Sequence, residues 1–134
     1  MFKIIRTLFF IIVTFSVSQF VFNPLNLYYE LWWLDIPMHI LGGFLFGLLS
    51  IDMYRYMAHE NNKLNFNLKL NLYHVLFFVF SIGVLWEIYE YIMGVYGIYL
   101  WGGPIDTVKD IFDDLIGAAI AYHFNIRENK YVKN

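Results

Sequence analysis

The chain has 134 residues, of which 60% are hydrophobic and 15% are charged, and its formal net charge is −2. With a mean hydropathy of +0.54, it is far more apolar than a soluble domain and is typical of an integral membrane protein. The weak negative charge and the lack of a basic patch argue against a nucleic-acid partner. Because the sequence has no cysteine, disulfides, thiolate metal sites and cysteine nucleophiles are excluded.

Four apolar segments are each close to the ~20 residues that a helix needs to cross a bilayer. They cover about residues 4–22, 36–54, 72–91 and 105–124. Turn-forming or polar stretches separate them, namely Asn23-Pro24, the run 59–71 and the glycine-rich stretch 97–104. The sequence therefore predicts an all-α fold in which residues 1–134 form a single transmembrane domain, a four-helix bundle in contact with the lipid bilayer.

Basic residues mark one side of these predicted helices, with Lys109 as the exception. They precede the first helix, join the second to the third and follow the fourth: Lys3, Arg6, Arg55, Lys63, Lys69, Arg127, Lys130 and Lys133. The positive-inside rule then predicts a multi-pass protein of the cell membrane with both termini in the cytoplasm. The other two connections face outward, and their aromatic residues suit an interfacial belt: Tyr28, Tyr29, Trp32, Trp33, Tyr96, Tyr99 and Trp101.

The first helix has an alternative interpretation. Its basic start, its apolar middle and the Ser16-Val17-Ser18 sequence also resemble a secretory signal with a small-x-small cleavage site. The continuation through Phe22 extends the apolar run to a full span, which favours a retained helix.

Acidic residues are concentrated where charge is costly. Eight of the eleven lie in or beside the outward-facing halves of the last three helices: Glu30, Asp35, Glu87, Glu90, Asp106, Asp110, Asp113 and Asp114. A carboxylate at the middle of a bilayer helix costs about 2.5–3.5 kcal/mol, and less near the interface. Three- and four-residue spacing gives each of the three helices one acidic stripe in line with small residues, and Asp35 shares its stripe with His39. We therefore expect a polar pocket between these helices that opens outward, with the first helix covering one side.

Carboxylates with one imidazole form a hard ligand set that suits Mg, Mn or Ca, with Zn or Fe if the histidine coordinates. The candidate metal ligands are Asp35, His39, Glu87, Glu90, Asp106, Asp110, Asp113 and Asp114. Among them, His39, Glu87 and Asp110 are the candidate catalytic residues, which would move protons beside the metal. A pocket at headgroup depth favours lipid or lipid-linked cell-envelope phosphates, so this hypothesis is a metal-dependent hydrolase or transferase.

Two other classes of function stay open. Clustered acids also bind protons or cations, and a four-helix transport protein of this kind would require a homo-oligomer. Alternatively, the chain is a non-catalytic membrane interaction or envelope-stress protein. A purely structural role is also open for several of these residues. Asp106 could cap the fourth helix, and Asp35 and His39 could form a simple i, i+4 pair. Lys109 could neutralise the two glutamates of the third helix.

Three ordered motifs carry a resemblance to a known family. They are D-x3-H-x2-GG from Asp35, WE-x2-E from Trp86 and D-x3-D-x2-DD-x2-GA from Asp106. Over about residues 34–122 the chain resembles the YjdF-like bacterial inner-membrane family, and it is more distantly similar to VanZ-like proteins, which are linked to glycopeptide resistance. The resemblance implies a compact helical membrane protein with motif residues at Asp35, His39, Gly42, Gly43, Glu87, Glu90, Asp106, Asp110, Asp113 and Asp114.

Overall fold

The computed structural model describes the backbone of residues 2–61, 70–97 and 102–131, and the side chains of 2–58, 70–97 and 102–125. Five α-helices lie in these ranges: α1 (Phe2–Val17), α2 (Leu27–Glu30), α3 (Asp35–Asn61), α4 (Leu72–Val95) and α5 (Pro104–Tyr131). A π-helical turn, Ser18–Phe22, extends α1, and a 3-10 turn, Trp32–Leu34, leads into α3. The described residues include no strand, so the all-α prediction is confirmed for them.

Some residues used to predict orientation are not described. Lys63, Lys69, Tyr99, Trp101 and Lys133 lie outside the described backbone, and the side chains of Arg127 and Lys130 lie outside the described side chains.

Three helical segments of the described chain are long and apolar enough to cross a membrane: Phe2–Phe22, Trp32–Ala58 and Leu72–Val95. The fourth predicted span corresponds to α5, which is a 28-residue helix. It lacks the apolar composition of the other three because five charged residues lie between Asp106 and Asp114.

Over residues 104–125, α5 buries three aspartates and turns its large apolar residues outward. Asp110, Asp113 and Asp114 are buried with Ala118 and Ala121. The opposite face exposes large apolar side chains at three- and four-residue steps, namely Ile105, Val108, Phe112, Ile116 and Ile120. This distribution is the reverse of that on a helix at the surface of a soluble protein.

Helices α3 and α5 run parallel and cross at glycines. A Cβ added at Gly43 would clash with the backbone carbonyl of Asp114, and a Cβ at Gly117 would clash with the carbonyl oxygen of Ile40. One helical turn or more further along, a Cβ at Gly47 would lie 3.0 Å from the Cβ of Ala121. The small residues therefore let the two backbones touch, as in other small-xxx-small contacts.

Helix α4 packs against both α3 and α5, and α1 packs on α3. The buried apolar cluster contains Ile51, Val75, Val79 and Ala118 from the three longest helices. At the same level, the buried Thr7 hydroxyl donates a hydrogen bond to Asp52 Oδ2 at 3.2 Å, which ties α1 to α3. The acidic residues lie at the other end of the bundle, where α3 and α5 begin, and we call this the site end.

Candidate functional site

His39 is the centre of the acidic residues at the site end. It lies one turn into α3, is buried, and has carboxylates near both ring nitrogens. Its Nε2 atom is 3.5 Å from Asp35 Oδ1 and 3.9 Å from Asp110 Oδ2, while Nδ1 is 3.4 Å from Asp114 Oδ1. The parallel crossing of α3 and α5 produces this arrangement, because the glycine contact at Gly43 brings Asp114 next to the first turns of α3.

Lys109 occupies the other side of the same carboxylates. Its ammonium group donates hydrogen bonds to Asp106 Oδ1 at 2.7 Å and to Asp35 Oδ2 at 3.2 Å. It also lies 3.1 Å from Asp110 Oδ1, although that contact lacks hydrogen-bond alignment. Lys109 therefore joins α3 to α5 and neutralises part of the acidic charge.

The two sets of contacts use different oxygens of Asp35 and Asp110. Each carboxylate turns one oxygen to Lys109 and the other to His39 Nε2. One ligand atom from each of Asp35, His39 and Asp110 lies within 4.8 Å of the other two. Ligands held about 2.0–2.2 Å from one metal ion are about 3.0–3.5 Å apart, so a modest contraction of this triad would enclose a cation.

Asp110 is the most buried acid of the triad. It is 2% exposed, and its Oδ1 atom has no hydrogen-bond partner. Its neighbour in the triad, Asp35, is a second carboxylate whose ligand oxygen lies within 4.8 Å. A bound cation or a retained proton would offset the cost of burying these two acids side by side.

The two glutamates of α4 face different partners. Glu87 is buried and is in hydrogen-bond contact with Thr107 of α5. Glu90 accepts a hydrogen bond of 2.9 Å from Trp86 Nε1. Among the described residues, Lys109 makes its ion pairs with three aspartates, so the expectation that it neutralises Glu87 and Glu90 is not met.

Asp113 does not share the contacts of the other aspartates. It is buried, and its Oδ2 atom has no hydrogen-bond partner. No ion pair of Asp113 occurs within the described side chains. Of the eight predicted ligands, the structure therefore brings Asp35, His39, Asp106, Asp110 and Asp114 into one network, with Glu87 and Glu90 beside it and Asp113 apart.

A cavity of about 1180 Å³ adjoins this network. Helices α1, α3 and α4 supply an apolar floor that includes Ile11, Leu45, Phe46, Val79 and Ile82. Charged and polar side chains follow toward the site end, namely Asp35, His39, Glu90, Asp106, Lys109 and Asp114. The cavity thus lies between α1, α3 and α4, and α5 contributes only the residues at its charged end; its outward opening stays a prediction.

The connection between α1 and α3 lines the site end of the cavity. Asn26 has a left-handed backbone with φ 52, which turns the chain into α2. Tyr28 and Ser18 then form a hydrogen bond of 2.7 Å between their hydroxyls. Burial raises the pKa of the Tyr28 hydroxyl above 10.0, so this group stays neutral over the physiological range.

Two partners of the acids were not predicted from the sequence. Thr107 is adjacent in the chain to Asp106 but contacts Glu87 on another helix, and a threonine in a helix gives no sequence signal of this kind. Trp86 precedes Glu87 in the motif, and its bond to Glu90 follows from i, i+4 spacing. That spacing could have identified the pair.

Comparison with known proteins identifies one family. A family model described as "Predicted membrane protein (DUF2238)" matches residues 1–130. No curated protein and no solved structure matches the chain.

Proposed function

Since the chain belongs to the DUF2238 family of predicted membrane proteins, we propose that it is a membrane-embedded metalloenzyme that binds one divalent cation between Asp35, His39 and Asp110. The ordered motifs support a YjdF-like assignment within this description. The reaction we propose is hydrolysis or transfer of a phosphate ester at headgroup depth. The observation that carries the proposal is the triad, whose inner atoms converge while Lys109 binds the outer oxygens.

The second nitrogen of His39 supports a metal ligand. Histidines that bind a metal usually donate the other ring N–H to a carboxylate, which fixes the tautomer and orients the ring. Asp114 Oδ1 lies 3.4 Å from Nδ1 and is the acceptor for that role. The triad combines hard oxygen donors with one imidazole, so Mg²⁺, Mn²⁺ and Zn²⁺ are the ions we expect to bind.

A divalent cation at the triad would polarise a phosphoryl oxygen. Water would attack phosphorus, the bond between phosphorus and the alcohol oxygen would break, and a proton would pass from the water to that oxygen. A carboxylate of α4 would carry the proton: Glu90 lines the cavity, whereas Glu87, the candidate from the sequence, is buried behind it. Lys109 offsets part of the charge of Asp35 and Asp110.

The transmembrane four-helix arrangement is part of the proposal. The outward apolar face of α5 supports lipid around this helix, because five large side chains from Ile105 to Ile120 would otherwise be exposed to water. The positive-inside rule then directs the site end outward and both termini to the cytoplasm. Labelling of single cysteines tests this orientation cleanly, because the natural sequence has none.

A second candidate function rests on a different observation. Asp110 is buried beside Asp35 and its Oδ1 atom has no hydrogen-bond partner. A proton held there would offset the cost of burial, which supports a proton- or cation-binding transport protein. The two candidates make opposite predictions for stoichiometric metal. An enzyme retains a metal at the triad, whereas a proton-binding protein exchanges protons there without one.

Metal affinity of the purified protein tests the proposal. We expect one Mn²⁺ or Zn²⁺ per chain by calorimetry and metal analysis in lipid nanodiscs. Asp110→Asn should lower the affinity at least 100-fold, and Asp114→Asn should lower it about 10–100-fold, as for other residues that orient a metal ligand.

Asp52→Asn is the matched control, since Asp52 is a buried acid of α3 at the opposite end of the bundle. It should leave the affinity unchanged. Absence of binding at millimolar cation, in protein that remains folded, would reject the metal centre. Loss of affinity in the Asp52 variant equal to that in the Asp110 variant would show a general effect of charge instead.

A further inference from the structure

The cavity next to the triad extends well beyond the charged residues. At about 1180 Å³ it exceeds the roughly 300–1,000 Å³ of most small-molecule pockets. Its apolar floor lies deeper in the bundle than its charged wall, because Phe46 follows His39 by seven residues of α3, or about 10 Å. A ligand that fills it must carry a polar head and an apolar tail.

The cavity also reaches the outer surface between α1 and α4. Ile12 of α1 and Leu85 of α4 both line it, yet they are 62% and 61% exposed. Next to them, the ring of Phe15 packs edge-on against Trp86 with the ring centres 5.7 Å apart. A ligand dissolved in the surrounding apolar phase can therefore enter sideways between these two helices.

We propose that this cavity binds a single membrane amphiphile with a phosphate head, which enters between α1 and α4 and places its phosphate at the triad and Lys109. The proposal rests on the proposed function, because a divalent cation is needed to attract a phosphate to a wall that is mostly acidic. Lys109 lines the cavity and supplies a further positive charge at the head position. The tail would lie on the floor formed by Leu45, Phe46 and Val79.

The probe for this site is dodecyl phosphate, with inorganic phosphate and dodecanol as controls for head and tail. Binding of the two phosphates to the Mn²⁺-loaded protein is measured in nanodiscs by the broadening of the ³¹P resonance by bound Mn²⁺, below the micellar concentration of the probe. Binding to the metal-free protein, and binding of probes without phosphorus, is measured by calorimetry. We expect dodecyl phosphate to bind the Mn²⁺-loaded protein at least 10-fold more tightly than inorganic phosphate does. Without Mn²⁺ this binding should fall at least 10-fold.

Ile12→Trp fills the lateral opening, and Val13→Trp is the matched control, because Val13 is an exposed residue of α1 that does not line the cavity. Ile12→Trp should weaken dodecyl phosphate at least 10-fold and leave the affinities for Mn²⁺ and inorganic phosphate unchanged. The control should leave all three unchanged.

Several results would overturn this assignment. Equal binding of dodecyl phosphate and inorganic phosphate to the Mn²⁺-loaded protein would reject the tail site, and equal binding by the two tryptophan variants would reject the entry route. If dodecylammonium bound the metal-free protein more tightly than dodecyl phosphate binds the Mn²⁺-loaded protein, the cavity would be a site for a cationic head and not for a phosphate. Mn²⁺ binding is measured separately, and its absence would reject the metal centre itself.

Discussion

Substitution of Gly43 by alanine tests the contact on which the site depends. A methyl group at this position meets the backbone carbonyl, C and Cα atoms of Asp114, which cannot rotate away as a side chain would. The two helices must separate, and overpacking of this kind costs about 1–3 kcal/mol. Because alanine is favoured over glycine in a helix by up to about 1 kcal/mol, the net loss is about 1–2 kcal/mol.

Gly42→Ala is the matched control, one residue earlier on the same helix. Its nearest new contact would be Asp114 Oδ1 at 3.8 Å, which is an ordinary van der Waals distance. This variant should be as stable as the natural protein or gain up to about 1 kcal/mol. The two alanine variants should therefore differ by about 2 kcal/mol, or about 8 °C in Tm for a chain of this length.

The assay is thermal unfolding of both variants in the same detergent, followed by Mn²⁺ titration of the folded protein. Gly43→Ala should also weaken Mn²⁺ more than Gly42→Ala does, because separation of α3 from α5 moves Asp110 away from Asp35 and His39. Equal Tm values and equal Mn²⁺ affinities for the two variants would refute the close crossing and the ligand geometry derived from it.

Four further predictions follow from single contacts. Lys109→Met should lower the free energy of unfolding by about 1–3 kcal/mol, between the values for exposed and buried ion pairs. The same variant should bind Mn²⁺ more tightly, because a positive charge next to the site is lost. Weaker Mn²⁺ binding in calorimetry would contradict this. Trp86→Phe should cost about 1 kcal/mol or more in detergent unfolding, since Glu90 loses its donor, whereas Trp33→Phe at an exposed residue should be neutral. Thr7→Val should lower the free energy of unfolding by about 1–3 kcal/mol because Asp52 is left buried without its hydrogen-bond donor. Thr14→Val is the control, since Thr14 is a threonine of the same helix that lines the cavity. Phe112→Asp should reduce the fraction of protein inserted in the membrane, at a cost of up to about 2.5–3.5 kcal/mol. Asn26→Asp, in the exposed connection, should leave that fraction unchanged. Equal insertion of the two variants would place α5 outside the bilayer.

The sequence is sufficient to predict the helices and most of the site network. Apolar runs identify α1, α3 and α4, and the acidic spacing on α3 and α5 places Asp35, Asp106, Asp110 and His39 on facing stripes. The ends of the helices were less predictable: α3 continues to Asn61 and α4 to Val95, beyond the predicted ends at 54 and 91. Hydropathy fails for α3 because a helix continues through polar residues once its backbone is hydrogen-bonded, whereas α4 continues through Gly94, which does not end the helix.

Other features depend on how the helices meet. Helical spacing cannot show which oxygen of Asp35 faces Lys109, nor that Asp113 is turned away from the network while Asp114 is inside it. Those outcomes depend on the rotation of α5 about its axis, which the backbone contacts at Gly43 and Gly117 fix. Pairing of Thr107 with Glu87 likewise requires the relative positions of α4 and α5.

The charges on the inner face of α5 have a consequence for biogenesis. Taken alone, this helix would carry Lys109 and four aspartates into the bilayer, and its insertion would be strongly unfavourable. Its partners on α3, Asp35 and His39, come earlier in the chain and would already be in the membrane during synthesis. In the proposed four-helix arrangement, entry of α5 should therefore depend on the presence of α3, so that insertion of α5 and assembly of the acidic network are the same event.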